Sequence, residues 1–92
     1  MSKVTIYTKN WCPYCARAKA LLNELNVSYT EIDVTDDWVR EQEMVERAQR
    51  TSVPQVFFND HHVGGSDDLA AVVASGEFER LLEASDCAAR AA

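Results

Sequence analysis

The sequence predicts an α/β fold, a four-stranded mixed sheet flanked by helices in the order β-α-β-α-β-β-α-α. Three observations predict it. Lys3-Val4-Thr5-Ile6-Tyr7-Thr8 alternates apolar and polar residues and is rich in β-branched and aromatic side chains, the signature of a half-buried strand. Ala18, Leu21, Leu22 and Leu25 then recur at the spacing of one helical face. Later, two short apolar runs flank Asn59-Asp60, a dipeptide suited to a tight turn, so they read as an antiparallel hairpin. A strand, helix and strand in succession form a parallel unit with a right-handed crossover, and the hairpin completes the sheet.

Each element has its own local cause. Pro13 suits the first turn of the first helix, where its missing N–H leaves no bond unmade, and Asn26 ends that helix. Val27 to Val34 reads as the second strand. Thr35, Asp36 and Asp37 supply a cap and negative charge for a second helix running to about Gln49, with Trp38, Val45 and Ala48 facing inward. Gln55 to Phe58 is a short strand after Pro54, and His62-Val63-Gly64 returns beside it, with His61 and His62 expected to be exposed at the turn. Ser66 caps a third helix through Leu69, Val72 and Val73, which Gly76 stops. Glu77 to Glu83 forms a last helix with Phe78, Leu81 and Leu82 inward.

The chain has 92 residues, 47% hydrophobic and 26% charged, which suits one globular domain over residues 1–85 followed by an Ala-rich tail at 86–92. A chain of this size buries only about 60–65% of its unfolded surface, so its stability is modest. Runs of ~18 apolar residues are absent, so no membrane span is expected. The first seven residues have no apolar stretch or small-residue cleavage site and read as a strand, not a secretory leader. A net charge of −6 argues against nucleic acid as a partner. The charge is uneven, however: residues 1–26 carry Lys3, Lys9, Arg17 and Lys19 against Glu24 alone, whereas the remainder holds five basic and fourteen acidic residues.

Two of the three cysteines, Cys12 and Cys15, lie inside that cationic segment as C-x-x-C, and Cys87 sits alone in the tail. Three cysteines cannot all pair within one chain, and secreted domains this small usually carry more. The pattern suggests redox chemistry in a reducing, cytoplasmic setting. A C-x-x-C near a βαβ unit points to the thioredoxin-like fold. Cys12 is expected at the N-cap of the first helix, where unpaired N–H groups, the helix dipole and nearby Lys9 all favour a thiolate. A free thiol is only about 3% ionised at pH 7, so full ionisation gains roughly 30-fold in attack. Lowering a thiol pKa by ~3.5 units costs about 40-fold in intrinsic nucleophilicity, so the main benefit is a better leaving group. Cys15 is placed to close a disulfide with Cys12. Zinc is the competing reading of such a pair, but it normally takes four ligands. Cys87, His61 and His62 lack metal-site spacing, so no metal is expected.

Trp11-Cys12-Pro13-Tyr14-Cys15 resembles the glutaredoxin family, and its C-P-Y-C tetrad resembles the dithiol branch found among small bacterial-type members. Three further landmarks carry the resemblance over residues 3–83: Thr8-Lys9, Ser52-Val53-Pro54-Gln55 and Gly64-Gly65-Ser66-Asp67-Asp68. The resemblance implies a glutathione-dependent disulfide oxidoreductase with Cys12 as nucleophile and Cys15 as resolving thiol. It also implies a cis Val53–Pro54 bond, with Val53 offering its backbone to the cysteinyl part of glutathione. Lys9 would meet the glycyl carboxylate, and Tyr14 would line the groove. Beside Pro54 and Gly65, the Ser66 N–H would hold the γ-glutamyl carboxylate and Asp67 would face its ammonium. Many relatives place Gln or Arg on the second helix near the glycyl carboxylate; here that register holds Glu41, between Arg40 and Gln42.

Glutathione is then a co-substrate and no tightly bound cofactor is expected. The implied partners of this monomer are disulfide-bonded or glutathionylated proteins, with ribonucleotide reductase a client by analogy. Potentials in such proteins run from about −200 to −230 mV, suited to the glutathione pool. Two other readings stay open. A role as iron–sulfur carrier usually goes with Gly or Ser after the first cysteine, where Pro13 stands here. Reduction by a flavoenzyme leaves Lys9 and Gly65-Ser66-Asp67 without a purpose.

Overall fold

The computed structural model describes residues 4–59 and 61–80. Four strands form one sheet in the order β2-β1-β3-β4: β1 (Val4–Thr8), β2 (Tyr29–Asp33), β3 (Gln55–Phe58) and β4 (His61–Gly64). β1 pairs in parallel with β2 and antiparallel with β3, and β3 pairs antiparallel with β4, giving the expected mixed sheet. Three helices connect them: α1 (Pro13–Glu24), α2 (Trp38–Ala48) and α3 (Ser66–Ala74). A further helical stretch covers 77–80, where the description ends. Leu81, Leu82 and the tail at 86–92 with Cys87 lie outside the described residues.

The alternation of strand side chains divides the interior in two. Val4 and Ile6 of β1, with Val56 and Phe58 of β3, pack against Ala18 and Leu22 of α1, Leu69 of α3 and Phe78. Tyr7 and Phe57 point to the opposite face, where Met44 and Ala48 of α2 join Val34. Helices therefore cover both faces of the sheet. No helix among the described residues is long and apolar enough to cross a membrane.

Helix ends follow local chemistry. Asn26 adopts a left-handed φ of 56° and closes α1, with the Asn26 N–H donating to the Asn23 carbonyl and the Val27 N–H to the Leu22 carbonyl, both at 3.1 Å. This pair of bonds satisfies carbonyls that the helix itself leaves open. The Asp37 carboxylate caps α2 by accepting from the Arg40 N–H at 3.1 Å.

Four expectations are corrected. β2 is shorter than Val27 to Val34: the Val27 N–H is still taken by the Leu22 carbonyl at the end of α1. Val34 lies past the last β1 pair, its N–H donating to the Thr8 carbonyl at 2.9 Å while its side chain enters the core. Trp38 is 70% exposed, not inward: it opens α2, and the inner face is set by Met44 and Ala48. His61 is exposed as expected but belongs to β4, not to the turn, and His62 is half-buried, its ring 5.1 Å from that of Phe57 and its Nε2 2.7 Å from Gln55 Oε1. Ser66 is the first residue of α3 and Gly65 its cap; the Asp68 carboxylate meets the Gly65 N–H at 3.0 Å.

Candidate active site

Cys12 and Cys15 lie at the N-terminal end of α1, where the chain leaves the C-terminal end of β1. Cys12 is the N-cap, with extended φ and ψ of −103° and 106°, and its Sγ accepts from the Cys15 N–H at 3.3 Å. An N–H aimed at sulfur from a helix N-terminus stabilises negative charge there. Pro13 occupies the first helical position, as expected. Trp11 precedes the motif with a left-handed φ of 65° and is 97% exposed.

The two thiols differ sharply. Cys12 is half-buried, whereas Cys15 is only 2% exposed. Burial pushes the Cys15 thiol up to about 12, and hydrogen bonding with the Cys12 side chain acts in the same direction. The Lys9 backbone hydrogen bond pulls the other way. Cys15 is therefore a protonated thiol held under an accessible one. Both are free.

Two depressions lie near Cys12, which lines one of them and contacts Val53 in the wall of the other. A cavity of about 260 Å³ is lined by Tyr14 of α1, Val53 and Pro54 before β3, and Gly65, Ser66 and Asp67 at the start of α3. It gathers six of the seven residues expected to bind a thiol ligand. The Cys12 thiol contacts the Val53 carbonyl at 3.8 Å, and the Val53–Pro54 peptide is cis. A side chain at Gly65 would begin 3.5 Å from the Pro54 carbonyl oxygen, so the two loops walling the cavity run close together with room for no more than a small side chain between them. Pro54 and Ser66 are buried and Asp67 is exposed. Tyr14 stands half-exposed, its ring under the Arg17 guanidinium at 5.7 Å.

The seventh residue, Lys9, lies apart from that group. It lines a second cavity of about 430 Å³ with Cys12, Cys15, Lys19, Glu31 and Asp33, and its ammonium is paired with Glu41 of α2. Lys19 is likewise engaged, with Glu31 at 3.1 Å. Hydrogen bonding from Thr8 and then Lys19 holds the Glu31 carboxyl below the usual carboxylate range.

Sequence reasoning missed Arg50. It lines the first cavity and binds the Asp68 carboxylate at 2.8 Å, tying the segment after α2 to the start of α3. The Arg50 guanidinium and then the Gly65 N–H hold the Asp68 carboxyl below its ordinary range. Nothing local separates Arg50 from Arg47, three residues earlier, which turns instead to the Tyr7 hydroxyl at 2.9 Å. Also missed was the line from His62 through buried Gln55, whose Nε2 donates to the Ser52 carbonyl at 3.0 Å and so braces the loop carrying Val53. Among the described residues, no cluster of three or more His, Cys, Asp or Glu is placed to hold a metal ion.

Comparison with known proteins agrees with this geometry. The family model described as Glutaredoxin matches residues 4–63. Glutaredoxin 3 of Escherichia coli (strain K12) is 47% identical over 83 residues, spanning 90% of this chain and all of that protein. The solution structure of a glutaredoxin from Brucella melitensis is 46% identical with a TM-score of 0.77, over 87% of each chain. The buckwheat glutaredoxin–glutathione complex shares the fold at a TM-score of 0.81 and 24% identity, over 89% of this chain and 77% of that one. A matched thiol pair at a helix start, the cavity beside it and these likenesses lead to one conclusion: the chain belongs to the glutaredoxin family, whose members are glutathione-dependent thiol–disulfide oxidoreductases.

Proposed function

We propose that the chain acts as a dithiol glutaredoxin, with Cys12 as nucleophile, Cys15 as resolving thiol and glutathione bound across the two cavities. The observation that carries this reading is the asymmetry of the thiols: an accessible sulfur at a helix N-terminus above a sulfur only 2% exposed.

Glutathione fits the groove in one direction. The N-terminus of α3, at Ser66 with Asp67 beside it, suits the γ-glutamyl carboxylate and ammonium. Val53 offers backbone groups to the cysteinyl unit in the manner of an added strand. Tyr14, Pro54 and Gly65 wall this part of the cavity. Beyond Cys12 lies Lys9, toward which the glycyl end extends. Start of α3, then Val53 and Cys12, then Lys9 is thus the order γ-Glu, Cys, Gly.

Two routes share the nucleophile. In the first, the Cys12 thiolate attacks the glutathionyl sulfur of a protein–glutathione mixed disulfide. A Cys12–glutathione bond forms, and the target leaves as a thiolate that takes a proton from water. A second glutathione thiolate attacks the bound glutathionyl sulfur, releasing Cys12 and oxidised glutathione. In the second route, Cys12 attacks a protein disulfide. Cys15 loses its proton and attacks the Cys12 sulfur, which frees the client and leaves a Cys12–Cys15 disulfide. Two glutathione molecules supply the two electrons that reopen it. Clients are disulfide-bonded or glutathionylated proteins, ribonucleotide reductase among them by analogy, met by a monomer in a reducing compartment.

The test is a pair of assays, with glutathione as reductant, on wild type and two variants. Cys15→Ser should keep removal of glutathione from a mixed disulfide and lose most reduction of a protein disulfide. Cys12→Ser should lose both. Normal turnover by Cys12→Ser would overturn the assignment.

A further inference from the structure

The cavity that takes the glycyl end of the ligand is not the receptor for a carboxylate that its two lysines suggest. Lys9 is paired with Glu41, and Lys19 with Glu31. Asp33 also lines the space, its own carboxylate accepting from the Thr35 N–H at 2.8 Å. Two ammonium groups and two carboxylates therefore line the space, and Glu41, outside the lining, adds a third carboxylate through its pair with Lys9.

Glu41 reaches Lys9 because of how its helix is set. It lies in the first turn of α2, its N–H bonded to the Asp37 carbonyl at 3.0 Å. The segment before that helix is tied to the end of β1 through the Asn10 N–H, which donates to Thr35 Oγ1 at 2.8 Å. The neighbouring cation, Arg40, does not relieve the anion: its guanidinium goes to Glu43 at 3.2 Å. A carboxylate arriving at Lys9 must share the ammonium with Glu41 and lie beside a like charge, which disfavours it.

We propose that Glu41, by holding Lys9 in an ion pair at the edge of this charge-balanced cavity, sets the thiol selectivity of the enzyme. It removes the preference for a free carboxylate at the glycyl end. γ-Glutamyl-cysteinyl thiols ending in a neutral amide are then accepted as readily as glutathione itself. The proposal rests on the reading above that the glycyl end of the ligand lies against Lys9.

The experiment measures apparent KM and kcat for two reducing thiols, glutathione and its glycyl carboxamide. The oxidant is a fixed concentration of a disulfide-bonded peptide. Released peptide thiol is followed by chromatography, so that no coupling enzyme restricts the choice of reductant. Wild type should show KM values for the two thiols within about twofold. Glu41→Gln should lower the value for glutathione about fivefold, the scale of one partly exposed ion pair. The change should be carried by KM, with the carboxamide value unmoved. Adding Lys9→Gln to that variant should abolish the gain. Two outcomes overturn the proposal and differ in what else they remove. If Glu41→Gln leaves the glutathione KM unchanged while Lys9→Gln alone raises it severalfold, the selectivity role falls and the glycyl site stands. If neither substitution alters the ratio between the two thiols, the glycyl site falls with it.

Discussion

At Cys15, a single buried thiol links stability to pH. Its folded-state ionisation is raised from an ordinary value near 9.0 to about 12, with burial the largest cause. The unfolded chain therefore loses this proton first as the solution becomes alkaline. Stability from the buried thiol is complete below about pH 9 and is lost progressively as pH rises toward 12. Urea denaturation of the reduced protein between pH 8 and 10.5 should show falling midpoints, and Cys15→Ala should flatten that slope; equal slopes in the two proteins would refute the account. Asp68 has the opposite sign. Its carboxyl is held low by Arg50 and the Gly65 N–H, so what it contributes is present above the ordinary aspartate range and lost in acid. These residue-scale properties were only half legible. The motif named the two cysteines, but which thiol is buried depends on what packs around the helix start. Arg50 became visible only once the start of α3 stood opposite it.

Among elements, β4 and α3 are joined at a point where only glycine fits. Gly64 has a φ of +120°, and a Cβ there would lie 2.5 Å from Asp68 Oδ2. Any side chain would drive Asp68 from the Gly65 N–H or displace the end of β4. Gly76 also has positive φ, at +80°, but nothing lies within 4 Å of its Cβ direction. Gly76→Ala should therefore cost about 1 kcal/mol from backbone strain alone, whereas Gly64→Ala should cost roughly 2–4 kcal/mol by adding the clash. Equilibrium denaturation of both variants checks the order, and Gly64→Ala should in addition weaken glutathione binding because the α3 start lines the groove. Element identities came through well from local patterning, and the Asn26, Asp37 and Gly76 boundaries follow residue chemistry that any reader of the chain can apply. Trp38 did not, because a first-turn residue projects beyond the contact its helix makes, and helical spacing alone does not say how far a sheet extends beneath it. His62 was misread for a related reason: a polar residue next to a turn looks solvated until the strand ladder carries it against Phe57 and Gln55.

For the molecule as a whole, stability rests on a sheet clamped from both sides. Leu22 fills the α1/α3 face and Met44 the α2 face, and each is fully buried. Leu22→Ala and Met44→Ala should each cost about 2–5 kcal/mol. That loss corresponds to about 10 °C or more in Tm for a domain of this size. Because the sheet separates the two side chains, their losses should add to within about 0.5 kcal/mol in the double variant. A marked departure from additivity in thermal denaturation would mean that the two faces are not independent. What the chain determined by itself was whatever depends on residues close in sequence: the period of each element, its caps, the C-x-x-C pair and the family signature. What only the tertiary structure decided was which distant charges meet. Lys9 and Glu41 are 32 positions apart in the sequence and become partners because α2 is set against the end of β1. The physical reason is that hydrogen-bonded ladders and caps act over a few residues, whereas burial and ion pairing act through space and answer to the packed arrangement of the whole fold.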